Sequence, residues 1–189
     1  MASAVAPTLK KIIFTYEDYC QTPDDGKRYE IIDGELYASD VPPVAHQLVV
    51  GNLLMVLSIY LKHCEIGKVI MGPLEVFFSA TNIAQPDVIF ISNDNSKIIK
   101  PTKIKGAPDL VLEVFSPGTE KRDCTIKAKM YAKFGVREYW LAKEKTATVE
   151  IRRLQKGKLV PVACLEKSDV LTSPLFPGLE IPLAEIFNI

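Results

Sequence analysis

The sequence lacks the cysteine patterns of zinc sites and disulfide frameworks. Its four cysteines, Cys20, Cys64, Cys124 and Cys164, stand far apart and form no C-x-x-C pair. Scattered thiols of this kind are typical of reduced proteins of the cytosol. We therefore expect neither a zinc centre nor disulfide bonds.

A long apolar run and a targeting sequence are also lacking. The most apolar stretch, Leu48 to Leu61, is interrupted by Asn52 and Ser58 and is shorter than the roughly 20 residues of a membrane-spanning helix. Residues 1–13 predict a flexible tail rather than a secretory leader. We expect a soluble, cytoplasmic protein without a membrane partner, in which residues 14–189 form a single domain.

The chain has no net charge, with 23 Lys and Arg against 23 Asp and Glu. This balance conceals an asymmetry, because residues 97–158 contain 16 basic and 7 acidic residues. A basic segment of this kind either binds phosphate groups or forms a solvated, lysine-rich surface.

Apolar periodicity and turn signals predict a mixed α/β domain with one sheet. The Asp33-Gly34 pair between two strand-like runs is the strongest local signal and predicts a β-hairpin. In the second half, Ile126, Met130 and Phe134 form an apolar helical stripe that ends at Gly135. The predicted helices cover residues 15–19, 45–63 and 120–134. The predicted strands cover residues 28–32, 35–39, 68–79, 85–92, 109–115, 136–142, 148–154 and 159–165, with a polar loop over 93–107 and a turn at Ser116-Pro117-Gly118.

Two of these strands contain a carboxylate where the pattern predicts an apolar residue. Asp87 begins one apolar run and Glu113 interrupts another. An ionised carboxylate in a covered sheet costs several kcal/mol unless it is paired or binds a cation. Two carboxylates on neighbouring strands would form a site suited to Mg²⁺ or Mn²⁺. The structural alternatives are a capping role or lysine bridge for Asp87 and an ion pair for Glu113.

Other polar residues are weaker candidates for the same site. Lys127 adjoins the apolar stripe of its helix and could balance the carboxylates, or it could lie on the surface. His46 begins the long helix, where a packing role is the alternative to ligation or proton relay. Glu30 lies in the hairpin, where carboxylates are usually solvated. We expect Asp109 to belong to a turn and His63 to be a surface residue.

The order and spacing of several short motifs resemble the Uma2 family of restriction-endonuclease-like domains, which is part of the PD-(D/E)XK nuclease superfamily. Each motif is weak alone, but together they cover most of the chain. They are Arg28-Tyr-Glu-Ile-Ile-Asp-Gly-Glu35, His46-Gln47, Gln85-Pro-Asp-Val88, Pro108-Asp-Leu-Val-Leu-Glu-Val-Phe-Ser-Pro117, Arg122-Asp123, Lys127, Tyr131, Gly135-Val136 and Glu138-Tyr-Trp140.

The resemblance implies a restriction-endonuclease-like core, a mixed sheet flanked by helices, with the hairpin added at the N-terminus. It places the two metal-binding acidic positions on Asp87 and Glu113. The superfamily lysine, expected two residues after Glu113, is replaced by Phe115, and the resemblance moves this role to Lys127. His46 and Glu30 are second-tier members of the implied site.

The implied function is Mg²⁺- or Mn²⁺-dependent hydrolysis of phosphodiester bonds in DNA by a homodimer. Two alternatives stay open: a non-catalytic binding or assembly module with the nuclease fold, and a hydrolase of small phosphate esters. Fold alone does not decide between them.

Overall fold

The computed structural model describes residues 12–115 and 120–189. Residues 1–11 of the predicted tail and the predicted turn at Ser116-Pro117-Gly118 lie outside the described residues. The helical elements are α1 (Tyr16–Tyr19), α2 (Val44–Cys64), α3 (Glu120–Arg122), α4 (Ala128–Phe134) and α5 (Leu183–Ile186), with 3-10 turns at Asn93–Ile98 and Glu144–Thr146 and a π turn at Asp123–Lys127. The strands are β1 (Arg28–Ile32), β2 (Glu35–Ser39), β3 (Gly67–Met71), β4 (Val76–Ser79), β5 (Asn82–Ala84), β6 (Val88–Ser92), β7 (Ile104–Lys105), β8 (Leu110–Val114), β9 (Glu138–Lys143), β10 (Thr148–Gln155), β11 (Lys158–Leu165), β12 (Val170–Leu171) and β13 (Ile181–Pro182).

A six-stranded mixed sheet forms the centre of the domain. Its order is β11-β10-β9-β8-β6-β3, and β8 and β9 are its parallel pair. Helix α2 packs on one face, where its apolar side chains meet Val88, Leu112 and Trp140. Helix α4 packs on the other face, against Ile89 and Val111. Strands β6 and β8 are therefore covered on both sides, which explains their nearly continuous apolar sequences.

The predicted hairpin of β1 and β2 is confirmed, but it belongs to a second sheet. Asp33 and Gly34 have φ angles of 47° and 78°, as a two-residue turn with left-handed backbone at both positions requires. The second sheet has five strands in the order β2-β1-β5-β4-β7. The prediction of one sheet is wrong because pairing between distant short strands leaves no mark in local periodicity.

The predicted strand over residues 68–79 is divided between the two sheets at Gly72-Pro73. The Gly72 N–H donates to the carbonyl oxygen of Asp87 at 2.8 Å. A Cβ atom at Gly72 would lie 2.3 Å from the carbonyl oxygen of Pro86, so only glycine permits this approach. The interruption at Gly72 thus allows a backbone hydrogen bond to Asp87. The strand predicted to start at residue 85 begins only at Val88.

The predicted helix over residues 120–134 contains a π turn at Asp123–Lys127. Ile126, predicted on the apolar stripe, is 36% exposed, so the stripe prediction is wrong at this position. Lys127 is only 3% exposed. It lies one α-helical turn before the buried Tyr131, so the two side chains face inward together.

The predicted helix over residues 45–63 is confirmed, since α2 spans Val44–Cys64. Among the described helices it alone is long and apolar enough to cross a membrane. Core helices meet the same criterion, and here Val49, Leu53 and Leu57 are buried against the sheet.

Candidate functional site

Asp87 and Glu113 lie opposite each other on neighbouring strands. Strands β6 and β8 pair antiparallel, with Val88 opposite Leu112, so the next pair along is Asp87 and Glu113. Both follow the alternation of the face that α4 covers, and both line the same cavity. The sequence prediction that the two carboxylates converge agrees with this geometry.

Three donors hold the carboxylate of Asp87. Oδ1 accepts a hydrogen bond from Nη1 of Arg28 at 2.9 Å. Oδ2 lies 3.1 Å from Nε2 of His46 and accepts a bond from the Val114 N–H at 2.9 Å. Burial alone would raise the pKa of Asp87, but the hydrogen bond and charge of His46, with Arg28 and the Val114 N–H, outweigh it and lower the pKa. Asp87 is therefore held as an anion.

Glu113 has a different electrostatic setting. Its Oε1 accepts hydrogen bonds from Nζ of Lys127 at 2.8 Å and from the Tyr131 hydroxyl at 2.9 Å. Burial is the main reason that the pKa of Glu113 is raised to about 8, and the nearby carboxylates, Asp87 first among them, raise it further. The positive charge of Lys127 lowers the pKa but does not outweigh these effects. The metal-free site therefore favours a proton on Glu113 at neutral pH.

Lys127 is the central cation of the site. Its Nζ lies 2.8 Å from Glu113, 2.9 Å from Glu30 and 3.5 Å from Asp123. Burial would lower the pKa of Lys127, but these three carboxylates outweigh burial and raise it. The lysine is charged, and it lies one helical turn before Tyr131, which donates to the same carboxylate.

Glu30 brings the second sheet into the site. Its Oε1 accepts a hydrogen bond from the Gln85 N–H at 2.9 Å, and its Oε2 lies 3.5 Å from Nη2 of Arg122. Burial would raise the pKa of Glu30, but the charges of Lys127 and Arg122 outweigh it and lower the pKa. The expectation of a solvated hairpin carboxylate is therefore wrong for Glu30, which is buried.

The charges around the cavity balance only while Glu113 holds its proton. The lining side chains comprise four acids and three permanent cations: Glu30, Asp87, Glu113, Asp123, Arg28, Arg122 and Lys127. One oxygen, Oδ1 of Asp123, is buried without a hydrogen-bond partner, although Nζ of Lys127 lies 3.5 Å away. Ionisation of Glu113 would leave one excess negative charge, which an additional cation would compensate.

The cavity has space for one small ion. Its volume is about 10 Å³, close to the minimum that holds one water molecule. Among the described residues no three His, Cys, Asp or Glu side chains form a metal-ligand group. Mg²⁺ is commonly held by only one or two carboxylates, with water and substrate phosphates as its other ligands. Asp87 and Glu113 fit such an ion.

The comparisons with known proteins identify the family. A family model described as "Uma2: Putative restriction endonuclease" matches residues 16–184. The chain belongs to the Uma2 family. A solved structure, described as a putative nuclease belonging to DUF820 from Anabaena variabilis, is 19% identical, with a TM-score of 0.77 over 92% of this chain and 97% of that chain. This likeness confirms the predicted nuclease-like α/β fold. No curated protein matches the chain.

Three predictions about individual positions can be compared with the Uma2 fold. Asp109 lies outside the cavity, where it accepts hydrogen bonds from the Ser92 N–H and Asn95, in the structural role expected for it. His63 is exposed, as expected. Phe115 is buried in the core beneath α4, so the position of the superfamily lysine is filled by a core residue.

Sequence reasoning gave no role to Arg28, Arg122 or Asp123, although all three line the cavity. Arg28 and Glu30 share one face of β1 by alternation, which could have indicated that Arg28 lies beside Glu30. No local signal indicates Arg122 and Asp123, because the π turn decides where they point.

The raised pKa of Glu113 predicts a pH-dependent stability of the metal-free protein. With a folded-state pKa of about 8 against 4.5, the folded chain binds the Glu113 proton more tightly than the unfolded chain. The resulting stabilisation is complete below about 4.5 and is lost as the pH rises through about 8. In urea unfolding with chelator across this range, we expect the free energy of unfolding to decline with pH. Glu113→Gln stays neutral at every pH and should remove this decline in the free energy of unfolding. If the variant loses stability with pH in parallel with the parent, Glu113 is not the group responsible.

Replacing Lys127 should leave several buried carboxylates uncompensated. We expect Lys127→Met to lower the free energy of unfolding by about 3–5 kcal/mol, as for other broken buried ion pairs. Lys129→Met is the matched control because Lys129 is exposed on the same helix, and its effect should stay within about 0.5 kcal/mol. Equal effects of the two substitutions in denaturant unfolding would show that the buried ammonium does not stabilise the fold.

Proposed function

We propose that this Uma2 protein is a Mg²⁺- or Mn²⁺-dependent endonuclease that hydrolyses phosphodiester bonds in DNA. The observation that supports the proposal best is the meeting of Asp87, Glu113 and Lys127 at one cavity, from two adjacent strands and a π turn. Two carboxylates and a lysine are the chemical groups that metal-assisted phosphodiester hydrolysis requires.

Asp87 and Glu113 would hold the metal ion. When bound, the ion would polarise the scissile phosphate and lower the pKa of a coordinated water. Its positive charge would also replace the proton that Glu113 favours in the metal-free site. The buried, ionised state of Asp87 provides a permanent anionic ligand.

Lys127 is proposed to stabilise negative charge that develops on the phosphate in the transition state. Glu30 would position the lysine, because its carboxylate lies 2.9 Å from the ammonium group. His46 would fix the orientation of Asp87 through its Nε2 contact at 3.1 Å. The other ring nitrogen of His46 is buried without a hydrogen-bond partner, so a proton-relay role for it has no described acceptor.

Backbone phosphates of DNA are proposed to contact the basic surface of residues 97–158. Four cations from this segment, Lys129, Lys133, Arg152 and Lys158, line a cavity of about 580 Å³ beside α4. Among the residues that the structure describes at this cavity, none is acidic. Contacts of this type would weaken as the salt concentration rises. A cytoplasmic location is also part of the proposal.

Two observations favour the alternative of a non-catalytic binding module. Arg28 and Lys127 already pair with the two candidate ligands, and the cavity of about 10 Å³ is too small for a phosphate group. The same nuclease fold could thus be retained for DNA binding alone.

Cleavage of plasmid and single-stranded DNA tests the proposed function. We expect cleavage in Mg²⁺ or Mn²⁺ that chelator abolishes, and Asp87→Asn or Glu113→Gln should lower its rate by at least about 100-fold. Asp109→Asn is a matched control, since Asp109 is a buried aspartate beside β8 that lies outside the cavity. This variant should retain cleavage per folded molecule.

The other outcomes distinguish the rival functions. DNA binding without cleavage that chelator does not affect would support the binding module. If the protein does not interact with nucleic acid at all, both the endonuclease and the DNA-binding module are refuted, and a hydrolase of small phosphate esters is favoured.

We expect Arg28 to compete with the metal ion for the carboxylate of Asp87. Its guanidinium bonds Oδ1 of Asp87 at 2.9 Å and is the most exposed of the three cavity cations, at 23%. Because a divalent ion on Asp87 must displace this contact, we expect Arg28→Gln to bind Mn²⁺ at least about tenfold more tightly by calorimetry. Arg137→Gln, which removes an Arg–Asp pair outside the cavity, should leave the affinity unchanged. Equal or weaker binding by Arg28→Gln would contradict the competition.

A further inference from the structure

Helix α2 presents an apolar stripe on the face that points away from the sheet. Val44, Leu48, Met55 and Ile59 are 77%, 46%, 55% and 52% exposed. At 100° per residue they fall within an arc of about 60° around the helix. The buried residues of α2 lie on the opposite face. A continuous apolar stripe of this kind typically marks an interaction surface.

Gly51 lies at the centre of this stripe, and nothing in the described part of the chain explains it. A Cβ atom built on Gly51 would have no atom within 4 Å. Glycine inside a helix costs about 0.5–1 kcal/mol relative to alanine. The conformation is helical and requires no glycine. A glycine at such a point is useful when the backbone of another helix approaches closely.

We propose that the stripe pairs with α2 of a second copy of this chain, antiparallel, about a two-fold axis between Gly51 and Asn52. The spacing of the stripe is self-complementary under this symmetry. Leu48 faces Met55 of the partner subunit, and Val44 faces Ile59 of the partner subunit. Asn52 does not obstruct the axis, because its amide donates inward to the Ile186 carbonyl at 3.0 Å. Each contact occurs twice, as in other two-fold interfaces.

The charges at the two ends of the stripe are also complementary. Lys62 and His63 are exposed in the last turn of α2, and Asp40 is exposed just before its first turn. Antiparallel pairing places Lys62 and His63 close to Asp40 of the partner subunit. It also sets the negative end of each helix dipole beside the positive end of the other.

The oligomeric state in solution tests the pairing. Sedimentation velocity of the full chain over a wide concentration range should show a dimer. Leu48→Glu, which buries a charge at the interface, should weaken dimerisation at least about tenfold. Gly51→Leu should weaken it similarly by blocking close approach, while leaving the fold intact because the space around Gly51 is open. Ile126→Glu is the control, because Ile126 is exposed outside α2.

Mixing variants tests the register itself. Leu48→Glu chains and Met55→Lys chains should each be monomeric but form a heterodimer when mixed, because positions 48 and 55 face each other. Leu48→Glu mixed with Ile59→Lys should form fewer heterodimers, since those positions do not face each other.

A parent chain that stays monomeric at every concentration would overturn the proposal. So would a dimer that both Leu48→Glu and Gly51→Leu leave intact. Binding of the monomeric parent to lipid vesicles through the stripe would assign it to a membrane surface instead and would also overturn the pairing. None of these results depends on DNA cleavage.

Discussion

The ion cluster around Lys127 is the interaction on which the site depends. One ammonium group, buried beneath α4, lies within 3.5 Å of three carboxylates. Each of these groups would be unstable alone in the interior, because several kcal/mol of solvation are lost per ion. Together they persist only while the lysine stays charged and in place. The carboxylates raise the pKa of Lys127, whereas burial is the main cause of the raised pKa of Glu113 and the other carboxylates add to it.

The cluster also determines how the parts of the domain are joined. Glu30 comes from the five-stranded sheet, Glu113 from the six-stranded sheet and Lys127 from the π turn. Their mutual compensation therefore links elements that also share one apolar cluster, in which Ile32 of the second sheet and Met130 of α4 take part. Lys127 and Tyr131 are one helical turn apart and both donate to Oε1 of Glu113. A π turn immediately before α4 is consistent with the frequent occurrence of such turns at functional sites.

The parts of the site that the sequence predicts are those with a local signature. Asp87 and Glu113 interrupt strands that are otherwise apolar, and antiparallel neighbours bring such positions together. The hairpin at Asp33-Gly34 is predicted for the same reason, because its turn chemistry is local. Two features depend on distant contacts and have no local signature: the second sheet and the burial of Glu30. Lys127 does have a local signature, because it adjoins the apolar stripe, but this signature does not distinguish it from a surface lysine, and the family resemblance adds the role.

Two separate features of the chain, the cavity and Gly51 of α2, can be explained in the same way. The cavity contains four acids and three permanent cations, so Glu113 favours a proton, and α2 contains a glycine that its described surroundings do not require. Burying the fourth acid and placing a glycine inside a helix each cost free energy in the isolated chain. The proposed cation would replace the proton on Glu113, and the proposed helix partner would use the open space at Gly51. The two proposals therefore each account for a cost that the isolated chain does not explain. The cavity and the outer face of α2 are separate surfaces. His46 lies between them, because it belongs to the first turn of α2, near Val44, and its Nε2 contacts Asp87.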